Sequence, residues 1–174
     1  MKRLAPMLRP VLGLLSGIAV LAAAAACSPQ AQDRAGAGQP SPADTHAVHP
    51  VSGLEVIPLT ITQDGKVHRF RVEAARSDEA QTQGLMFRTE MGADEGMIFP
   101  RRPARIAGFW MRNTVIPLDM IFIGPDGRIL NIAENTVPYS LEPYTSAGPV
   151  IAVLELNGGR SAELGIGPGA RVEW

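Results

Sequence analysis

Gly108-Phe109-Trp110-Met111-Arg112-Asn113-Thr114-Val115-Ile116-Pro117-Leu118-Asp119-Met120-Ile121-Phe122-Ile123 is the densest apolar run after the N-terminus, and it holds one of the two tryptophans. Polar residues break it twice. Asn113-Thr114 interrupts it ahead of Pro117, and Asp119 stands inside Leu118–Phe122. A single core strand would not place polar groups there. The stretch reads as two strands joined by a tight, polar, proline-shaped corner, and such a corner is where a site would form.

Downstream, Gly124-Pro125-Asp126-Gly127 is a strong turn signal and Arg128–Ala133 a return strand. Thr136–Gly148 is irregular, and a loop of that length inside a compact domain is often functional. Val150–Leu156 reads as a buried strand with Glu155 embedded in it, pointing outward opposite Leu154 and Leu156. Asn157-Gly158-Gly159 turns the chain, Arg160–Leu164 gives one helical turn, and Ala170–Trp174 is a last strand.

Upstream, Leu54–Thr62 and Val67–Ala74 alternate with period two around Gln63-Asp64-Gly65-Lys66, the pattern of a β-hairpin. His68, Arg69, Arg71 and Glu73 are assigned to its wet face. Ala75–Leu85 is the helix candidate, with Ser77 to cap it, Asp78 and Glu79 at its positive end and Gly84 to stop it. Met97-Ile98-Phe99 is a short strand, and Pro100–Arg105 a basic loop, read as solvated with its arginines paired to local acids rather than as a phosphate site. Short strands separated by turn signals, with one brief helix, predict a mainly β domain: a compact antiparallel sandwich or barrel.

The chain has 174 residues and a formal net charge of −1, with 5% aromatic residues. The first bounds it to one domain plus accessories. The other two argue against a nucleic-acid partner, which needs a basic field and stacking surfaces. Cys27 is the single cysteine, so internal disulfides and multi-cysteine zinc sites are excluded. Met1-Lys2-Arg3 with Arg9, followed by the uncharged, alanine-rich run Val11–Ala26, has the layout of a signal peptide over residues 1–26. Cys27 directly follows Ala24-Ala25-Ala26, as in a bacterial lipoprotein cleavage box. The reading is lipidation at Cys27, a membrane anchor on the periplasmic side of the envelope. Ordinary cleavage after Ala26 remains the alternative. Residues 27–52, rich in Pro, Ala, Gly and Gln, read as a flexible linker, and His46 and His49 within it as solvated rather than metal-binding. Residues 53–174 form the domain.

Several motifs follow in one order: Gln83-Gly84-Leu85-Met86-Phe87-Arg88, Gly96-Met97-Ile98-Phe99, Phe109-Trp110-Met111-Arg112-Asn113-Thr114, Ile116-Pro117-Leu118-Asp119, Asp126-Gly127 and Val153-Leu154-Glu155-Leu156. Together the chain from about Leu54 to Trp174 resembles the bacterial and archaeal family called domain of unknown function 192. The resemblance implies a jelly-roll-type β-sandwich, often behind an export signal, and no established reaction. Members often carry an acid after the final glycine, where this chain has Ala170.

Asp119 is the sharpest single feature, because a carboxylate inside an apolar strand costs several kcal/mol unless it is paired or hydrogen-bonded. Its expected partners are Asn113 and Thr114, across the corner. It reads either as a brace of that corner or as a catalytic acid, with Glu155 as a second acid in the same cleft. No nucleophile motif, phosphate loop or placed histidine accompanies the two, and no cofactor is expected. Met86, Met91, Met97, Met111 and Met120 offer a third reading, Cu(I) binding by thioethers, against their use as core fillers. The favoured reading is a non-enzymatic binding or accessory module for a small molecule or an envelope protein. Its site is expected at Trp110, Met111, Asn113, Thr114 and Asp119, with Arg88 and Glu155 nearby.

Overall fold

The computed structural model describes residues 47–174. The expected signal peptide, Cys27, His46 and the linker up to residue 46 lie outside the described residues. The elements in chain order are β1 (Ala47–Val48), β2 (Glu55–Gln63), β3 (Lys66–Ala74), α1 (Asp78–Gln83), β4 (Glu95–Arg105), β5 (Gly108–Phe109), β6 (Leu118–Ile123), β7 (Ile129–Ala133), β8 (Tyr144–Thr145), β9 (Val150–Asn157), α2 (Arg160–Leu164) and β10 (Arg171–Glu173).

One eight-stranded sheet runs β1-β2-β3-β4-β9-β6-β7, with β10 on β2, and β5 pairs β8 in a separate ribbon. The two ends of the large sheet approach through a lone bridge, Arg128 to Arg171. The sheet curls without closing into a barrel. The chain is mainly β, as the turn-punctuated alternation predicts, but the sheet is mixed: β3 and β4 run parallel. A parallel pair cannot be joined by a tight turn. Residues 75–94, with α1 among them, make the crossover. Ser77 caps α1 by accepting from Ala80 N–H, and Gly84 ends it at φ 48°. A second short helix, α2, follows β9.

Alternation along the central strands divides their side chains between two cores. Ile98, Ile121, Ile123, Leu154 and Leu156 join Leu59, Ile61, Phe70 and Val72 of the hairpin in one. Met97, Phe99, Leu118, Met120, Phe122 and Val153 face the other, which Leu85, Ala107 and Met111 cover. All six residues of β6 are therefore buried, which is why it reads as an unbroken apolar run. Each fully buried Leu, Ile or Phe here contributes about 1.5–3 kcal/mol over leaving it in water.

Five local expectations change. The strand around Met97 extends through the predicted basic loop, so Arg101 and Arg102 belong to β4, with a register irregularity between Pro100 and Arg105. The described fold begins at Ala47 rather than residue 53, because β1 pairs with β2. His49 packs there instead of being solvated: its Nε2 lies 3.4 Å from Arg88 Nη1 and 3.7 Å from Glu73 Oε1. His68 is opposite Ile61 and shares its parity with Phe70 and Val72, so it faces inward at the end of the core. Glu73, expected on the wet face, is buried.

Candidate functional site

The corner Trp110–Pro117 is held by backbone bonds from two other loops. Phe87 N–H donates to Asn113 O at 2.8 Å, Tyr139 N–H to Thr114 O at 3.2 Å, and Met111 N–H to Ser140 O at 2.9 Å. Asn113 sits at φ 54°, a region that asparagine tolerates better than most residues. Thr136 Oγ donates to Leu118 O at 2.9 Å, lies 3.1 Å from Met111 Sδ, and accepts from Leu118 N–H at 3.2 Å. These bonds fix the corner against the long loop after β7.

Asp119 is fully buried but does not pair with Asn113 or Thr114. Its Oδ1 accepts from Asn135 N–H at 2.9 Å and Gly159 N–H at 2.8 Å, and its Oδ2 from Ser161 N–H at 2.8 Å. Gly159, the residue before α2, has no side chain to cap that helix. Asp119 performs the capping from another strand, satisfying donors that the helix start leaves open. All three donors are backbone groups, so the carboxylate binds the loop after β7 and the turn after β9 to the start of β6. The geometry assigns Asp119 to the brace reading.

Glu155 lies across the sheet from it. Asp119 is opposite Leu156, whereas Glu155 is opposite Met120 on β6 and Met97 on β4. Glu155 does point away from Leu154 and Leu156, as alternation predicts, but that face is covered by the second core and the residue is buried. Its carboxyl forms no hydrogen bond or ion pair among the described residues. Burial pushes its pKa from 4.5 up to about 8, because desolvation penalises the charged form. At neutral pH it is a carboxylic acid, with a proton to donate.

A cleft of about 120 Å³ reaches Glu155 from the surface. The end of α1 with Gln83 and Gly84 forms one side, Arg101 of β4 another, and Phe109, Trp110, Arg112 and Thr114 the rest. Phe99 and Phe109 meet edge to face at 5.1 Å, and the Arg101 guanidinium lies 5.1 Å over the Phe109 ring. Arg101 Nε is buried without a hydrogen-bond partner among the described residues. Desolvation, then the nearby Arg105 charge, lowers its pKa. Arg112 is 5.6 Å over Trp110, which is half-exposed at the rim. The cleft thus combines aromatic faces, two guanidinium groups and one uncharged acid.

Of the seven residues expected at the site, Trp110, Thr114 and Glu155 line this cleft. Met111 is packed in the second core, Asn113 contacts Met86 Sδ, and Asp119 lies on the opposite face. Arg88 is elsewhere: its Nη1 and Nη2 donate to Glu73 Oε1 and Oε2 at 2.8 and 3.1 Å. Ser52 Oγ also donates to Glu73 Oε2. Met97 and Met120 fill the second core beside Met111, a packing role for the thioethers. Arg112, Phe109 and Gln83 are cleft residues not expected at the site, and Arg101, expected in a solvated loop, joins them. Alternation carries the signal for Arg101, which falls in step with Met97 and Phe99 once β4 is continued through Pro100.

The family model for domain of unknown function 192, described as an uncharacterized ACR, matches residues 59–174. A protein of unknown function from Novosphingobium aromaticivorans is 57% identical. Its crystal structure matches at a TM-score of 0.73, over 79% of this chain and 99% of its own. A Sinorhizobium meliloti protein, described as a candidate transcription regulator, is 44% identical with a TM-score of 0.65, over 67% of this chain and 91% of its own. No curated protein matches the chain.

Proposed function

The chain belongs to the family of domain of unknown function 192, which brings no reaction with it, and we propose from its own geometry that it is a ligand-binding module of the cell envelope. The observation that carries this reading is Glu155: a buried, unpaired carboxyl at the floor of a small cleft with Trp110 at its mouth. A fold gains nothing from an unsatisfied buried acid. Such a group with a shifted pKa, set in a cleft, points to a site. Aromatic walls with a few convergent polar groups suit a small ligand. The formal net charge of −1 favours no nucleic-acid role, so the description of the Sinorhizobium protein is not carried over.

Export to the periplasmic side and lipidation of Cys27 belong to this proposal, on the strength of the N-terminal pattern. Mass spectrometry of the membrane fraction should find Cys27 lipidated at the new N-terminus. A wholly soluble, unmodified protein would remove the anchor. For the binding role, a fragment screen followed by amide NMR should shift the resonances of Gln83, Arg112 and Thr114. Binders that move only distant residues would defeat it.

The hydrolase reading changes its residues. An acid–base pair of Asp119 and Glu155 would need both in one cleft, and the strand register sends them to opposite faces. Glu155 alone retains the property of a general acid, a proton held near working pH. Turnover of sugar, ester or peptide substrates by wild type but not by Glu155→Gln would establish that reading over binding alone.

A further inference from the structure

The charge pattern of the Glu155 cleft narrows its ligand class, and the step rests on the binding role proposed above. Two guanidinium groups, Arg101 and Arg112, line the cleft, and neither makes an ion pair among the described residues. Each is held over an aromatic ring, Phe109 and Trp110 respectively, so its orientation is set without a carboxylate partner. Arg101 Nε–H is buried with nothing to donate to among the described residues. A buried donor left open in this way costs free energy that a ligand acceptor would recover. The one acid lining the cleft, Glu155, is not paired with either arginine.

A cationic ligand would enter against two guanidinium charges. A neutral ligand would leave both unneutralised. A monoanion is matched by the Arg101 guanidinium and needs from Glu155 only the one hydrogen bond that a protonated carboxyl can donate. We propose that the cleft binds the carboxylate group of a small organic acid, held by the Arg101 guanidinium and the Glu155 carboxyl, with Arg112 on Trp110 closing the mouth. Guanidinium and carboxylate match as planar, bidentate partners. A volume of about 120 Å³ admits the acid group and a few further atoms, so the rest of the ligand extends past Trp110.

The pH dependence has a definite sign. Met97 of β4 and Met120 of β6 flank Glu155 in register, and the other polar side chains lining its cleft are Arg101, Arg112 and the uncharged Gln81, Thr82, Gln83 and Thr114. Burial keeps Glu155 protonated up to about pH 8, so it donates to the bound carboxylate below that value and repels it above. Affinity is flat below about pH 8 and falls roughly tenfold per unit beyond it.

The test uses the full chain carrying Trp174→Phe, which leaves Trp110 as the sole tryptophan reporter. Glucuronate and N-acetylglycine are titrated against glucose and N-acetylglycinamide, with inorganic phosphate alongside, between pH 6 and 9. The expected result is carboxylate binding at least tenfold tighter than the matched neutral probe and weaker above pH 8. Arg101→Gln loses at least tenfold in carboxylate affinity with circular dichroism unchanged, and Glu155→Gln flattens the pH profile. Tighter binding of glucose, N-acetylglycinamide or phosphate overturns the carboxylate assignment but leaves a binding cleft. Carboxylate affinity unaffected by Arg101→Gln also overturns it. No Trp110 response to any probe at millimolar concentration removes both proposals.

Discussion

Asp119 and Glu155 stand on adjacent antiparallel strands one register position apart: Asp119 opposite Leu156, Glu155 opposite Met120. Side chains alternate faces along a strand, so this single step sends the two acids to opposite sides of the sheet. One is saturated by three backbone donors, and the other has none among the described residues. Their roles separate accordingly.

Asp119→Asn tests the brace. An amide oxygen can keep the bonds from Asn135 and Gly159, but the amide nitrogen then faces the Ser161 N–H, donor against donor. Losing a charge-assisted bond and leaving a buried donor open should cost about 2–4 kcal/mol. Asp119→Ala, which opens all three donors, should cost more. Urea unfolding of both variants checks this. A variant as stable as wild type would mean that the carboxylate does not hold the two loops.

Glu155 should make stability fall with pH. Its pKa is raised from 4.5 to about 8 on folding, so between those values the folded state holds a proton that the unfolded state has released. The contribution of the protonated group is fully present below pH 4.5. It is lost at about 1.4 kcal/mol per pH unit as pH rises towards 8, and no further above it. Glu155→Gln cannot ionise and should remove that slope, ending more stable than wild type at pH 8. Unfolding curves from pH 5 to 9 decide it, and parallel slopes for the two proteins would contradict the burial argument.

Features set by neighbouring residues were legible in the sequence, and those that depend on distant chain were not. The hairpin, the cap at Ser77 and the corner before Pro117 are written in neighbouring residues. Asp119 stood out because an acid inside Leu118–Phe122 violates the pattern, yet its partners lie at positions 135, 159 and 161. No local rule reaches that far. The face of Glu155 was predictable from alternation, but its burial required knowing that Leu85 and Met111 cover that side. The parallel pairing of β3 and β4 was likewise hidden, because antiparallel turn signals dominate the rest of the chain. His68 was legible too: polarity alone argues for the wet face, but its parity with Phe70 and Val72 sends it inward.

The Glu73–Arg88 pair should behave as a buried ion pair rather than a surface one. The two side chains are 4% and 10% exposed, with two parallel bonds between them. Arg88→Ala takes the bidentate partner from a buried carboxylate that Ser52 and His49 also approach, at a cost of about 3–5 kcal/mol. Replacing both residues by Met should cost less than the Arg88 change alone, since no charge is then left unpaired. A double-mutant cycle in urea measures the difference, and strictly additive losses would place the pair among solvent-screened contacts.

Gly96 is where β4 lets β9 approach, and Gly96→Ala should disturb the fold and the cleft together. A Cβ at this position would lie 2.4 Å from the Glu155 carbonyl oxygen and 2.8 Å from Leu156 Cδ2. The first contact is with backbone, so no side-chain rotation relieves it. The strands must part, and overpacking of this kind costs about 1–3 kcal/mol, with more where backbone must move. Because Gly96 is in register with Leu156, next to Glu155, the displacement falls at the floor of the cleft. The expected outcome is a lowered unfolding midpoint together with changed Trp110 fluorescence in the Trp174→Phe background. Ser77→Ala supplies the contrast: losing the α1 cap should cost about 1 kcal/mol without moving the cleft floor. A Gly96→Ala protein with an unchanged midpoint would show that β4 and β9 have room to spare, and that the glycine is not what sets Glu155 in place.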